Sequence, residues 1–549
     1  MNINGISSRL LSVMLRAIPW LLVFSGLLLV DYGPCNDSWF LLNHGRYVFE
    51  QGIPYIEPFT LHEGFDFVMQ QWLSAVIFWQ AWCAAGIDGL YAACLIMGAV
   101  MIWLSYRLIR LVGGEKKLSM SMAGIMGFLC AVFFVPRPWI FSTALLMADV
   151  YVIESYMRDG RKRWLISMPI ISVLLINMHA AMWPMMFVLL LPPIAERLLG
   201  VHVDSFFSSA SASPLKPVAV VAVMSFFAGF INPYGLPMMT YLLHSYGFSE
   251  INHIVAEMRP VNVQLIAGKV YFILLIMMVV GYAKHCMPAR YVFLTLGMAY
   301  MAASGMRSMM LFILLGIFPI GAVLSKRVPH AVRVKEFRPA RAYGALMILV
   351  ACVGVIVLSQ WEDFIGALCS TGAIFRTFAV LLLAAGMMNV LLAFRRYRVV
   401  SKNVYHAIAI MALISMSIMG AASYMTRYAE PAMPGCRDAV DYLLTKEQPE
   451  NIRLWTGYDD GSYAEFCGIK TYLDPRAEVF LKTNNHKEDI MYEYIALERG
   501  SLDYRKFLSW YDFNYLLVSK GALLYTYLDA DTAYEKIYDE GGYRIYRKR

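Results

Sequence analysis

Asp37 is the residue of this chain best placed to do chemistry. It lies in a polar, aromatic-rich stretch, residues 31–71, that directly follows the first long apolar block at 18–30. An acid just outside a membrane helix is expensive to hold near lipid, and carboxylates at membrane depth are functional suspects by default. Such a group can act as general base on an acceptor hydroxyl or amine. It can also hold a divalent cation, Mg or Mn, that neutralises a lipid diphosphate. The bland alternative is a solvated loop acid or a helix cap, since Asp37-Ser38-Trp39 could open a helix. Glu57 stands in a Pro-flanked turn, Pro54-Tyr-Ile-Glu-Pro-Phe-Thr60. It could share the cation or assist the base, and equally could serve only the turn. Asp66 reads as an ordinary loop charge.

Further candidates follow along the chain. Asn177-Met178-His179 closes an apolar stretch. Its His could bind phosphate, hydrogen-bond a sugar, ligate a metal or simply pack. Asn232-Pro233-Tyr234-Gly235 opens a polar loop that continues through His253, Glu257 and Arg259. An Arg there is a candidate phosphate clamp. So is Arg307, for which snorkelling to the interface is the alternative. The aromatic and acidic run from Trp455 to Tyr463 suits carbohydrate or peptide contact, and Asp474 with Arg476 reads as an internal salt bridge holding a turn. The sequence has no Walker loop, dinucleotide Gly fingerprint, His-Glu-x-x-His or Cys-x-x-Cys, so soluble nucleotide chemistry has no support.

Membrane helices must position these residues. The 549-residue chain is 59% hydrophobic and only 16% charged, with mean hydropathy +0.54. A soluble domain carries roughly 25% charged residues. The apolar residues come in blocks long enough to span a bilayer, about 20 residues each. The block at 18–30 lacks a small-x-small cleavage site and reads as a retained anchor. The net charge of +8 does not point to nucleic acid, because the basic residues cluster in short loops, the pattern that sets topology.

With Arg9 and Arg16 inside, one register puts the later basic loops inside too: 107–117, 158–163, Arg197, Lys284 with Arg290, 326–341 and 395–402. It requires the short apolar stretch 73–85 to be interfacial or re-entrant. It gives about 13 spans, the last near 406–422, with the C-terminal part outside. Asp37, Glu57, Asn177, His179, Asn232, Tyr234, His253, Glu257, Arg259 and Arg307 all fall near the outer face, although none of them was used to choose the register.

Composition changes near residue 424. Residues 1–426, with the outer loop 31–71, form a membrane domain. Residues 427–549 read as a small extracytoplasmic α/β domain, with helices at 436–445 and 488–498 and strands at 452–456, 471–473, 515–518 and 543–546. Cys436 and Cys467 lie in this outer part and could form a disulfide. Most other cysteines sit in apolar blocks as small core residues.

The ordered motifs resemble those of bacterial polytopic proteins related to GT-C glycosyltransferases, with protein O-mannosyltransferases and lipid A aminoarabinose transferases as more distant relatives. They are Asp37-Ser-Trp39, Gly45-Arg46, the turn from Gly52 to Thr60, Trp72-Leu-Ser74, Asn177-Met-His179, Asn232–Gly235, Glu257, Arg307 and Asp474–Ala477. The resemblance implies a mostly α, GT-C-like fold in the bacterial cytoplasmic membrane. It implies a polyprenyl-phosphate-linked sugar as donor, hexosyl or pentosyl transfer on the outer face, and Asp37 as the catalytic acid residue. Two departures stand out. Gln70-Gln71 replaces a His-Glu pair, and Glu57 replaces an Asp.

The expected site therefore has Asp37 and Glu57 as catalytic residues and Arg259, Arg307 and His179 on the donor phosphate. Trp39, Asn177, Asn232, Tyr234, His253 and Glu257 would face the acceptor, be it glycan, lipid or protein. The alternative is a non-catalytic envelope-assembly scaffold or a transporter. The latter is disfavoured because no duplicated halves are visible.

Overall fold

The computed structural model describes residues 33–198, 213–245, 256–284, 287–325 and 433–549. In lipid every backbone polar group must bond internally, so the apolar blocks become helices. Among the described residues, four segments are long and apolar enough to cross a membrane: Trp72–Leu111, Lys116–Phe133, Trp139–Asp159 and Ala180–Leu198. Three shorter apolar helices are Lys216–Ala228, Ile266–Tyr282 and Met306–Gly316. The spans expected at 18–30 and 406–422, and others in the total of about 13, lie outside the described residues.

Helix α1, Asn36–Gln51, is part of the polar loop 31–71. Its start is pinned by the Cys35 N–H donating to Ser38 Oγ at 3.1 Å. It ends where Gly52 takes φ 88°, a left-handed value that glycine tolerates. Helix α2, Trp72–Leu111, is broken at Ala85 and Gly86. Its first arm, at 1.5 Å per residue, is about 20 Å long and cannot cross a bilayer core of ~30 Å. The arms fold so closely that a Cβ on Gly89 would lie 1.9 Å from the Ala81 carbonyl oxygen. The stretch 73–85 is therefore no span of its own, as the basic-loop register required. Helix α1 packs on this arm through Gly45, where a Cβ would sit 2.2 Å from the Ala75 carbonyl oxygen.

Helices α3 (Lys116–Cys130), α4 (Trp139–Asp159), α5 (Ser167–Met178), α6 (Lys216–Ala228), α7 (Ile266–Lys284) and α8 (Ala289–Ser304) complete the described bundle. Arg290, expected as a plain inner-loop charge, is buried instead. Its Nε meets Glu154 Oε1 at 2.9 Å and its Nη1 meets Glu196 Oε1 at 3.0 Å. The Tyr291 hydroxyl donates to Glu154 at 2.7 Å. One cation thus ties α4, the 180–198 segment and α8 together, since a buried charge must be paired.

The C-terminal part is a mixed five-stranded sheet with order β2-β1-β3-β5-β4. The strands are β1 Arg453–Trp455, β2 Lys470–Thr471, β3 Tyr515–Ser519, β4 Tyr534–Glu540 and β5 Tyr543–Lys548. β1 pairs in parallel with β2 and β3, while β5 runs antiparallel to β3 and β4. The expected helices appear as Arg437–Leu444 and Ile490–Glu498. Cys436 and Cys467 are free thiols, and the disulfide considered from sequence is absent. The buried Cys436 thiol is turned to the Asp460 carbonyl oxygen instead, 3.8 Å away.

The 31–71 loop and the sheet share one core. Phe59, Phe65, Phe67 and Met69 pack among Trp455, Tyr472, Phe480 and Phe507. Thr60 pairs with Thr471, and the Leu61 N–H donates to the Thr471 carbonyl at 2.9 Å.

Candidate active site

Asp37 lies in the first turn of α1, where unsatisfied N–H groups favour an anion. Its carboxylate Oδ2 is 3.1 Å from Arg137 Nε, and the two side chains are 31% and 19% exposed. Arg137 sits between Pro136 and Pro138, just before α4. Ser38 of α1 donates to the Pro136 carbonyl at 3.0 Å and fixes this approach. Arg137 Nη1 reaches Glu257 Oε1 at 2.5 Å, so one guanidinium bridges two carboxylates from distant segments.

Glu257 belongs to the turn Ala256–Met258. That turn is tied to the turn Met306–Ser308: the Met306 N–H donates to the Arg259 carbonyl at 3.0 Å, and Arg307 Nη1 lies 3.4 Å from Met258 Sδ. The Arg307 charge acts on both Asp37 and His179. From the C-terminal domain, Asp459 hydrogen-bonds Asn36, and Ser462 Oγ donates to the Asn36 carbonyl at 2.9 Å. Burial pushes the Asp37 carboxyl above its ordinary range; Arg137 opposes this, Glu257 and Asp459 reinforce it, and Arg307 opposes it. A raised carboxyl that still faces a guanidinium is suited to exchanging a proton with an acceptor.

The other expected residues are distributed unevenly around this point. Glu257 and Arg307 join Asp37. The exposed Arg259 adjoins them through its backbone. His179 is buried, with Nδ1 3.1 Å from Ser142 Oγ. Asn177 accepts from Trp72 Nε1 at 2.9 Å and donates to the Val173 and Ile231 carbonyls, each at 2.8 Å. Asn232 spends its amide on the Gly229 and Gly235 carbonyls, and Tyr234 donates to the Pro54 carbonyl at 2.8 Å. These three hold loops together. Trp39 is a core residue, packed edge-on against Trp82 and Tyr463. His253 lies outside the described residues. Gln70, one of the departures, accepts from the Ala180 N–H with its carbonyl and from the Ala181 N–H with its side chain.

Glu57 is placed elsewhere. Its carboxylate is enclosed and accepts from Phe59 N–H, Thr60 N–H and Thr60 Oγ1 at 3.1, 3.0 and 2.7 Å. Arg476 Nη2 completes the set at 2.9 Å. Arg476 also holds Asp474 through its own backbone N–H at 2.8 Å, the turn-holding salt bridge expected from sequence. It lies 3.8 Å from Glu465. Its Nη1 is 3.2 Å from His44 Nε2, and burial, helped by the Arg476 charge, keeps that imidazole well below its ordinary range and neutral. This enclosed network joins the outer loop to the C-terminal domain.

Sequence reasoning missed Arg137 and gave Asp459 no particular role. Arg137 did carry a signal: the chosen register puts it outside, against the usual inward bias of basic residues. Among the described residues no three His, Cys, Asp or Glu side chains converge as metal ligands. At Asp37 the facing positive charge comes from Arg137, and no step is routed through a divalent cation.

No protein-family model matches the chain, and no curated protein matches it. Solved structures do. ArnT from Cupriavidus metallidurans in the apo state superposes with TM-score 0.53 at 11% identity, covering 98% of both chains. The archaeal oligosaccharyltransferase AglB from Archaeoglobus fulgidus, in complex with an inhibitory peptide and a dolichol-phosphate, gives TM-score 0.53 at 11% identity. That match covers 99% of this chain and 74% of that one. An oligosaccharyltransferase from Archaeoglobus fulgidus tethered with an acceptor peptide gives TM-score 0.54 at 12% identity, covering 97% of this chain and 74% of that one. The chain has a GT-C-type fold. At these identities the likeness shows the fold and not the reaction.

Proposed function

We propose that this protein is a membrane glycosyltransferase that moves a sugar from a polyprenyl-phosphate-linked donor to an acceptor on the outer face of the cytoplasmic membrane. One observation carries the reading: in a GT-C-type fold, Asp37 opens an outer-loop helix with Arg137 at 3.1 Å and the Arg307 charge within reach. The AglB structure that superposes on this chain is a complex with a dolichol-phosphate, which supports a lipid phosphate as the donor's leaving group.

Asp37 takes the proton from the acceptor hydroxyl or amine as that atom attacks the anomeric carbon. The new bond forms as the bond from that carbon to the phosphate oxygen breaks, with inversion. The polyprenyl phosphate leaves with its negative charge, which Arg307 and Arg259 neutralise. The test is lipid mass spectrometry of purified wild type, Arg307→Ala and Asp37→Asn. The reading expects a polyprenyl-phosphate species on wild type that is lost from Arg307→Ala. It expects the same species retained, with its sugar uncleaved, on Asp37→Asn. Absence of any such lipid from the wild-type protein sinks it.

A further inference from the structure

A second cleft lies between the outer loop, the segment after α6 and the C-terminal domain. Its volume is about 280 Å³, just under the range of roughly 300–1,000 Å³ typical of small-ligand sites. One wall is apolar: Leu236, Pro237, Phe67, Val68 and Val479. The other presents Thr240, Asn484 and two carboxylates held in place by partners. Glu478 accepts from the Tyr241 hydroxyl at 2.8 Å, and Asp66 lies 2.8 Å from His486 Nδ1. A carboxylate can accept more hydrogen bonds than the one each of these makes here. Among the described residues no Lys or Arg lines it.

The surroundings decide the kind of ligand. Helix α6 exposes Val220, Val223 and Phe227 to its surroundings, and the exposed apolar row continues through Phe230 and Ile231 to Leu236 (57%) and Leu243 (77%). In a membrane protein such a row faces lipid. The apolar wall therefore continues the hydrocarbon surface, while the polar wall belongs to the aqueous domain. Two imidazoles, His244 and His486, also line the cleft, and His486 is committed to Asp66. Two carboxylates, an amide and hydroxyls, with no guanidinium or ammonium, suit sugar-like hydroxyls or an amine better than a phosphate. Tyr458 feels the charges of both Glu478 and Asp37, so one ring lies within electrostatic reach of a cleft residue and of the candidate active site.

We propose that this cleft seats an amphiphile whose head is hydroxylated and carries no negative charge. Given the transferase reading above, that ligand is the acceptor, and it is distinct in charge from the donor. The probe is an alkyl β-glucoside with a diazirine in its chain, photolysed with the full chain in nanodiscs and mapped by peptide mass spectrometry. Labelling is expected to concentrate in residues 236–244 and 478–486, with octyl glucoside competing and octyl phosphate failing to compete. Thr240→Trp with Asn484→Trp should cut this labelling at least tenfold. Labelling spread evenly along the helices, equal competition by octyl phosphate, or undiminished labelling in a monodisperse double variant would each overturn the proposal. The wild-type map needs no variant to fold. Arg307-dependent binding of polyprenyl phosphate, measured on the same preparations, separates the two ideas. Its persistence without cleft labelling removes the cleft alone, and its absence with cleft labelling removes the transferase reading alone.

Discussion

Replacing Arg137 by Gln should raise the pH at which Asp37 gives up its proton. At 3.1 Å and an effective dielectric of 20, the gross attraction between the two charges is about 5 kcal/mol. Solvent reaches Asp37, whose side chain is 31% exposed, and screening of that degree cuts the figure severalfold. A remainder of about 1.4 kcal/mol is one pKa unit. The sign follows from the groups present. Burial already raises the Asp37 carboxyl, Arg137 is the principal opposing charge, and Glu257 and Asp459 both push it further up. With the guanidinium gone, Glu257 also loses its 2.5 Å partner, and of the charges that lower Asp37 only Arg307 remains. The protonated form of Asp37 must then persist to higher pH.

Dicyclohexylcarbodiimide modifies protonated carboxyls, so the pH midpoint of Asp37 labelling, read by peptide mass spectrometry, measures this without knowledge of any substrate. The midpoint in Arg137→Gln should lie about one unit or more above wild type. Arg137→Lys, which restores a charge without the fork, should fall between the two. A midpoint that stays put or moves down in Arg137→Gln would refute the electrostatic account of the site. Under the transferase reading the acidic limb of turnover against pH should move upward by the same amount.

Other substitutions probe the frame around the site. Arg476→Met leaves Asp474, Glu57 and Glu465 buried without their cation. A loss of about 3–5 kcal/mol should show as a much lower melting temperature, partly recovered when Glu57→Gln is added. Gly45→Leu drives a side chain into the Ala75 carbonyl and Trp79 Cβ, where even a Cβ would lie 2.2 and 2.6 Å away. A destabilisation of about 1–3 kcal/mol or more is expected from thermal unfolding in detergent. Asp460 is pushed up to about 6 by burial, with Tyr543 opposing and Asp459 reinforcing. Its folded form holds the proton more tightly than the unfolded chain, so its stabilisation is complete below about pH 4 and is lost as pH rises to about 6, roughly 3 kcal/mol in all. Asp460→Asn should flatten that part of the melting-temperature profile, and an unchanged profile would show that Asp460 titrates normally.

The helical class was legible because it rests on a long-range sum, the length of the apolar blocks. The break at Ala85 and Gly86 was legible from the sidedness of basic loops, since a full span there would have thrown Arg107 and Arg110 to the wrong side. Individual roles were far less legible. Asn177, Asn232, Tyr234 and Glu57 have the residue types of a binding site, yet their polar atoms are consumed by loop carbonyls, backbone N–H groups and Arg476. Only coordinates tell a spent polar group from an available one. β4 was missed because Glu535, Lys536, Asp539 and Glu540 mask its alternation on an exposed edge. Its turn was written plainly, with Gly541 and Gly542 both at positive φ, the glycine pair that a tight hairpin favours.

The C-terminal domain is part of the candidate site rather than an appendage to it. Helix α1 carries Asp37 on its first turn, and its later turns rest on the same phenylalanines that fill the domain's core. His44 stacks on Phe59 at 4.8 Å, and Phe59 packs in turn among Tyr472 and Phe480. The domain also reaches α1 directly, through Ser462 on the Asn36 carbonyl and Trp39 against Tyr463 and Phe466. A carboxylate tuned by charges from four separate segments needs each of them fixed to within a fraction of an ångström, because a pairwise electrostatic term changes steeply at these distances. The enclosed Arg476 network provides that fixity: it binds the loop turn at Glu57 to the domain turn at Asp474 with charges that cannot separate without becoming buried and unpaired. On this argument Glu57 matters to the chemistry only through position. Its replacement should loosen the geometry around Asp37 and leave the identity of the base unchanged.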